Sequence, residues 1–108
     1  MLVRNKIDQN LYALKCIKKI QIIKNNNIEN IKTEKAILSK INNNFIIKLK
    51  NTFQDKDKIY MAFEYYNGGE LFFHLQKFKR FSESIAKFYA VEIYHALNYL
   101  HENNILYR

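Results

Sequence analysis

Apolar and polar residues fall into blocks whose spacing changes along the chain. Leu11 to Lys18 read Leu-Tyr-Ala-Leu-Lys-Cys-Ile-Lys, an apolar-rich run of strand length. Met1 to Arg4 predicts a preceding strand, with Asn5 to Asn10 as the hairpin connection. Ile28, Ile31, Leu38 and Ile41 recur at helical spacings and predict one amphipathic helix over residues 28–41. Phe45 to Phe53 and Lys58 to Phe63 read as two more strands, joined by the polar turn Gln54-Asp55-Lys56-Asp57. The second half changes period. Leu71 to Gln76 predicts a short helix, and Ser82 is a good N-cap for a long one, with Glu83 near its positive end. That long helix places Ile85, Phe88, Tyr89, Ile93, Ala96, Leu97 and Leu100 on one side. Strands with one inserted helix, followed by helices alone, give an α+β order.

Proline is absent, and the two glycines are adjacent at Gly68 and Gly69. Punctuation falls instead to asparagines at positions 25–27, 42–44 and 103–104, a residue that tolerates left-handed backbone and competes with helix hydrogen bonding. No internal repeat is visible.

Two charges interrupt the apolar pattern. On the 11–18 strand Ala13, Lys15 and Ile17 share a face, because side chains alternate. On the 28–41 helix Glu34 stands on the stripe of Ile31, Leu38 and Ile41. Each has a plain alternative: a lysine whose stem lies along apolar surface with its ammonium in water, and a glutamate at the helix rim. Together they suggest a buried or half-buried ion pair, an arrangement that stabilises little by itself and so hints at a task. A lysine held by a carboxylate is well placed to meet phosphate oxygens.

Composition narrows the classes. With 48% hydrophobic and 26% charged residues in 108, the chain reads as about one small globular domain and not as a disordered segment. No apolar run approaches the roughly 20 residues of a bilayer crossing, and no secretory signal is seen at the start. The single cysteine, Cys16, fits a reducing compartment, excludes a Cys-rich zinc site and reads as a small core residue. The formal charge of +8 raises a nucleic-acid hypothesis. Yet Asn, Ile and Lys make up 44 of the 108 residues, and all three have codons written almost wholly in A and T. A base-composition bias loads lysine onto neutral surface without any partner, so no specific nucleic acid is expected.

The motifs, taken in order, resemble the AGC group of eukaryotic serine/threonine protein kinases. Tyr12-Ala13-Leu14-Lys15 is similar to the strand motif of the nucleotide-binding lysine, and Thr33-Glu34-Lys35-Ala36-Ile37-Leu38 to the helix bearing its partner glutamate. Ile59 to Phe72, containing Phe63-Glu64-Tyr65-Tyr66-Asn67-Gly68-Gly69-Glu70-Leu71, resembles the strand, hinge and first large-lobe helix. Arg80-Phe81-Ser82-Glu83, Ala86-Lys87-Phe88-Tyr89 and Tyr99-Leu100-His101 continue the match, and Ile105-Leu106-Tyr107-Arg108 looks like the start of the catalytic loop.

This resemblance implies an α+β fold with two parts: a small-lobe portion and hinge over residues 1–66, and the start of the helical large lobe over 67–108. It implies that Lys15 contacts the phosphates of ATP and that Glu34 fixes its ammonium. Ala13 would roof the adenine, Phe63 would be the gatekeeper, and Glu64 and Tyr66 would offer a backbone carbonyl and amide to the adenine edge. Glu70 would accept hydrogen bonds from ribose and from a basic residue upstream of the substrate Ser or Thr. Leu38, Leu49 and Tyr107 match positions of an apolar column between lobes. Phe63 and Tyr107 also read simply as core aromatics, and the glycine pair as a turn. His74, His95 and His101 show no metal spacing and read as structural, His101 capping or packing the long helix end.

ATP with magnesium, a cytoplasmic location and protein substrates with basic residues near the phosphosite follow from the same resemblance. The glycine-rich loop is expected before Met1, and the catalytic aspartate and both metal ligands beyond Arg108. The isolated chain is therefore expected to be catalytically inert, with weak nucleotide affinity and an exposed apolar side on its long helix. Asn30 stands where a phosphate-binding histidine is common, and Asn67 where many hinges have proline. A non-catalytic kinase-like interaction module and a basic nucleic-acid-binding domain are the alternative readings.

Overall fold

A computed structural model describes residues Met1–Tyr107. Four antiparallel strands form one sheet: β1 (Leu2–Arg4), β2 (Leu11–Lys18), β3 (Leu49–Gln54) and β4 (Lys58–Glu64), in spatial order β1-β2-β4-β3. The helices are α1 (Lys19–Lys24), α2 (Ile28–Leu38), α3 (Leu71–Phe78) and α4 (Glu83–Glu102). The chain divides into two compact units. One comprises the sheet with α1 and α2, residues 1–42 and 47–65; the other comprises Asn43–Ile46 together with the segment from Tyr66 onward.

Within the first unit β2 and β4 are the inner strands. Their register sets Lys15 opposite Met61 and Ala13 opposite Phe63. Directly opposed residues share a face, so Ala13, Lys15 and Ile17 lie on the side of Met61, whose 1% exposure makes it the most buried residue. Helix α2 lies on that same side, where Glu34 meets Lys15, and carries the half-buried Ile31, Glu34, Ile37 and Leu38 at intervals of three and four. The opposite face of β2 carries Leu14 and Cys16. Cys16 lies there and is exposed, with its Sγ 3.7 Å from the Met1 sulfur. The expected core cysteine is thus corrected: alternation puts it on the face away from Lys15, and there it is exposed.

Other boundaries move for local reasons. Helix α2 stops at Leu38 and not at 41, because the Ser39 hydroxyl donates to the Ala36 carbonyl and the Lys40 amide turns back to Ile37. Strand β3 starts at Leu49 and not at Phe45, since the Asn43 carboxamide oxygen accepts from the Phe45 amide and makes a turn of the segment before it. Helix α1 escapes the sequence pattern. Its six residues are too few to show a period, although they bury Ile22 to 6% exposure.

Both hairpins are built around an aspartate and a tyrosine. At the β1–β2 connection Asp8 accepts from the Asn10 amide at 2.9 Å and from the Tyr12 hydroxyl at 2.7 Å. At the β3–β4 turn one Asp55 oxygen accepts from the amides of Asp57 and Lys58, both at 2.7 Å, and the other from the Tyr60 hydroxyl at 2.8 Å. The Lys19 ammonium reaches the Asp55 carbonyl at 2.6 Å, fastening α1 to this turn. Phe53 stacks on Tyr60 with ring centroids 5.0 Å apart.

In the second unit Ser82 caps α4 as the sequence predicts, its hydroxyl accepting from the Ile85 amide. Leu100 is buried to 8%, while Ile85, Phe88, Val91, Ile93 and Tyr94 remain exposed along the helix. The far end of α4 is closed by Asn103 and not by His101: the Asn103 carboxamide donates to the Tyr99 carbonyl at 2.8 Å, while His101 is exposed. His95 stacks on Phe45 at 5.6 Å.

The Tyr60 hydroxyl holds the Asp55 carboxyl below the usual carboxylate range, and Asp55 in turn holds the Tyr60 phenol above its usual value. A carboxyl depressed in the folded state supports stability above its unfolded pKa and loses that support as pH falls through the folded value; a raised phenol supports stability below its unfolded pKa and loses it as pH rises through the folded value. Tyr60→Phe is therefore expected to move the Asp55 titration upward, read from its side-chain carboxyl carbon by NMR. An unchanged Asp55 titration overturns this account of the turn.

Candidate functional site

Strand β2 aims Lys15 at the helix-covered side of the sheet, and the stripe of α2 brings Glu34 to meet it. The Lys15 Nζ lies 2.6 Å from Glu34 Oε1, although the two residues are nineteen apart in sequence. Their side chains are 46% and 35% exposed, so the pair is half-open to water and not buried. That openness limits both the desolvation cost and the stabilisation. An ammonium has three donors, and the single contact to Oε1 leaves it able to meet a further anion while its position is fixed.

Ala13, two residues before Lys15 and on the same face, is half-buried opposite Phe63, which is also half-buried. Leu49 pairs with Phe63 from the other side, and Leu38 ends α2; both are half-buried. Glu64 closes β4. Its amide donates to the Lys48 carbonyl at 3.2 Å, and its carboxylate pairs with the Lys50 ammonium at 2.7 Å. The Lys50 contact is absent from the sequence reading, because the pairing shifts register between Leu49 and Asn51 and no spacing rule anticipates such a shift.

The remaining candidates lie in the second unit. Tyr66 is exposed and precedes a turn in which Gly69 takes a φ of 77°, a left-handed conformation that suits glycine. Glu70 follows as the N-cap of α3, but its side chain makes no capping hydrogen bond. The carboxylate is exposed. The His74 Nε2 lies 2.6 Å from the Gly68 carbonyl oxygen. Tyr107 is 77% exposed, so its reading as a core aromatic is not met. In the first unit, Asn30 of α2 donates through its carboxamide to the Asn27 side chain, at the N-cap of that helix. Among the described residues no three His, Cys, Asp or Glu side chains gather to hold a metal ion, and no helix is long and apolar enough to cross a membrane.

An antiparallel sheet whose inner strand offers a lysine to a glutamate on the covering helix, followed by a helical segment, is the arrangement expected of a kinase small lobe and the start of a large lobe. Residues 1–108 match the family described as protein kinase domain. The chain is 48% identical over 107 residues to a cAMP-dependent protein kinase catalytic subunit of Dictyostelium discoideum, covering 99% of this chain and 16% of that protein. It is 43% identical over 106 residues to a RAC family serine/threonine-protein kinase homolog of the same organism, covering 98% of this chain and 24% of the relative. With the human serine/threonine-protein kinase Sgk2 it shares 42% identity over 109 residues, covering 100% of this chain and 30% of the relative. The chain belongs to the protein kinase family, and its relatives support the AGC serine/threonine resemblance. It spans less than a third of the length of these relatives. The family in general uses ATP with magnesium and acts on proteins.

A half-exposed pair sets a modest energy. A double-mutant cycle of Lys15→Met and Glu34→Gln, followed by urea unfolding, is expected to give a coupling of about 0.2–1 kcal/mol that shrinks at about 1 M salt. A salt-insensitive coupling of about 3 kcal/mol or more, the range of a broken buried pair, overturns the half-open description.

Proposed function

We propose that this chain is the nucleotide-holding portion of an AGC-type serine/threonine protein kinase that transfers the γ-phosphoryl group of ATP to Ser or Thr of cytoplasmic protein substrates. The observation that carries the reading is the 2.6 Å contact between Lys15 and Glu34 on the apolar side of the sheet. Phosphoryl transfer asks a protein chiefly for positioning and for positive charge fixed in place. Glu34 prevents the long Lys15 side chain from wandering, and the ammonium then donates to oxygens of the α- and β-phosphates. Magnesium-bound ATP supplies the transferable phosphoryl group together with the counter-charge that the metal provides.

The other residues serve recognition. The methyl group of Ala13 leaves room for a flat ring that a larger side chain would obstruct, and Phe63 limits how deep that ring goes. Glu64 and Tyr66 offer a backbone carbonyl and a backbone amide to the adenine edge. The Lys50 contact to the Glu64 carboxylate supports this reading, because it fixes the end of β4 from which that carbonyl is presented. Glu70 accepts from ribose hydroxyls and from a basic side chain upstream of the acceptor Ser or Thr. The missing capping bond at Glu70 is consistent with a carboxylate directed to a ligand.

Addition of magnesium-ATP at millimolar concentration is expected to shift the NMR signals of Lys15 and of the amides from Glu64 to Tyr66. Lys15→Met should weaken this binding about tenfold, the loss of a charge-assisted hydrogen bond. The melting temperature should hardly move, since stabilisation grows only as ln(1 + [L]/Kd) and is small when Kd is near the ligand concentration. Nucleotide shifts that Lys15→Met leaves unchanged overturn the reading.

A further inference from the structure

We propose that His74 is a positioning residue for Glu70, holding its carboxylate where a basic substrate side chain is recognised. The inference rests on the reading of Glu70 given under the proposed function. Its own ground is a bracket formed by one residue around another. The His74 backbone amide donates to the Glu70 carbonyl at 3.4 Å, and its imidazole Nε2 contacts the carbonyl of Gly68, two residues before Glu70, at 2.6 Å.

The donor in the second contact is fixed by chemistry. A carbonyl oxygen carries no proton, so His74 must present Nε2–H, either as that neutral tautomer or as the imidazolium. The contact therefore survives in both charge states of the ring. The ring also lies against the turn: a Cβ on Gly69 would stand 3.8 Å from Nε2.

Why the bracket matters follows from what it encloses. Two consecutive glycines, the second at a φ of 77°, form the segment with the greatest backbone freedom in the chain. Asn67 ahead of them adds no ring constraint. Glu70 has no side-chain capping bond to anchor it to α3. Without the His74 imidazole, the turn is still joined to α3 through the Glu70 carbonyl, which accepts from the backbone amides of Phe73 and His74. With the imidazole bond, the Gly68–Gly69 peptide ahead of Glu70 and the Glu70–Leu71 peptide after it are both tied to the first turn of the helix. The other histidines differ: His95 stacks on Phe45 and meets Tyr94 edge-on, and His101 is exposed.

The test uses the full chain with a short arginine-containing peptide and the same peptide with norleucine in place of arginine, titrated by NMR. Glu70→Gln should remove the arginine-dependent part of binding. His74→Ala should weaken that part roughly three- to tenfold, the range of one hydrogen bond, and speed amide exchange from Gly69 to Leu71. His74→Gln, whose carboxamide still donates, should restore binding to within about twofold. An unaffected affinity in His74→Ala, with Glu70→Gln impaired, overturns the positioning role and leaves the Glu70 reading standing. An unaffected affinity in Glu70→Gln removes both. Weakening in His74→Ala that His74→Gln does not rescue shows a packing role and overturns the hydrogen-bond proposal. If His74→Ala unfolds, the decision passes to the unmodified chain: an Nε2–H signal of His74 coupled to the Gly68 carbonyl supports the proposal, and a proton on Nδ1 alone overturns it.

Discussion

The pairing of β2 with β4 is the constraint from which the first unit follows. Antiparallel register puts Lys15 opposite Met61, so the most buried side chain and the site's ammonium share one face at the centre of the sheet. A cation beside an apolar core is tolerated only with access to water or to an anion. Here it has both: a carboxylate at 2.6 Å and nearly half of its surface exposed. A one-residue slip would carry Lys15 away from Met61 and Glu34 and put Cys16 in its place, destroying core and site together. Stability of the fold and aim of the lysine are therefore specified by the same hydrogen bonds.

The turns explain how that register is held in a chain with no proline and no glycine in its first 67 residues. Each hairpin uses an aspartate as the hub, with backbone amides on one oxygen and a strand tyrosine on the other. The tyrosine returns from the strand to its own turn, so turn geometry and strand register are locked to one another. Both carboxyls are lowered chiefly by the phenol hydrogen bond and both phenols raised chiefly by the carboxylate, which is the reciprocal behaviour expected of one shared proton contact. Lys19 extends the second hub to α1.

Much of this was legible in the sequence because it rests on periodicity. Alternation assigned Lys15 to its face, the three-four spacing assigned Glu34 to the stripe, and the order of strands and helices gave the α+β class. What escaped depends on information that periodicity lacks. A six-residue helix completes fewer than two turns, so α1 left no stripe to recognise. The core reading of Cys16 fails because its exposure depends on what packs against its face of the sheet, which a strand pattern does not carry. The Lys50–Glu64 pair depends on a register irregularity, and the Asn103 cap on a backbone carbonyl that no residue identity marks. The half-open state of the Lys15–Glu34 pair likewise reflects how much surface surrounds it, a property of packing and not of spacing.

The two glutamates show how the same side chain serves opposite ends of one electrostatic problem. Glu34 sits within α2, away from the positive N-terminus, and its charge is balanced by the Lys15 ammonium. Glu70 sits at the N-cap of α3, where the helix field favours a carboxylate and the exposed amides invite a capping bond that it does not make. The helix field lowers the cost of keeping that exposed charge, while the preceding glycine turn determines where it points. A carboxylate balanced by an internal cation serves to hold that cation for another ligand; one favoured by a helix end but left uncapped can accept a cation from outside. Under the proposed function, Glu34 would prepare a phosphate contact through lysine and Glu70 would receive a basic side chain directly, a difference of backbone position and not of residue type.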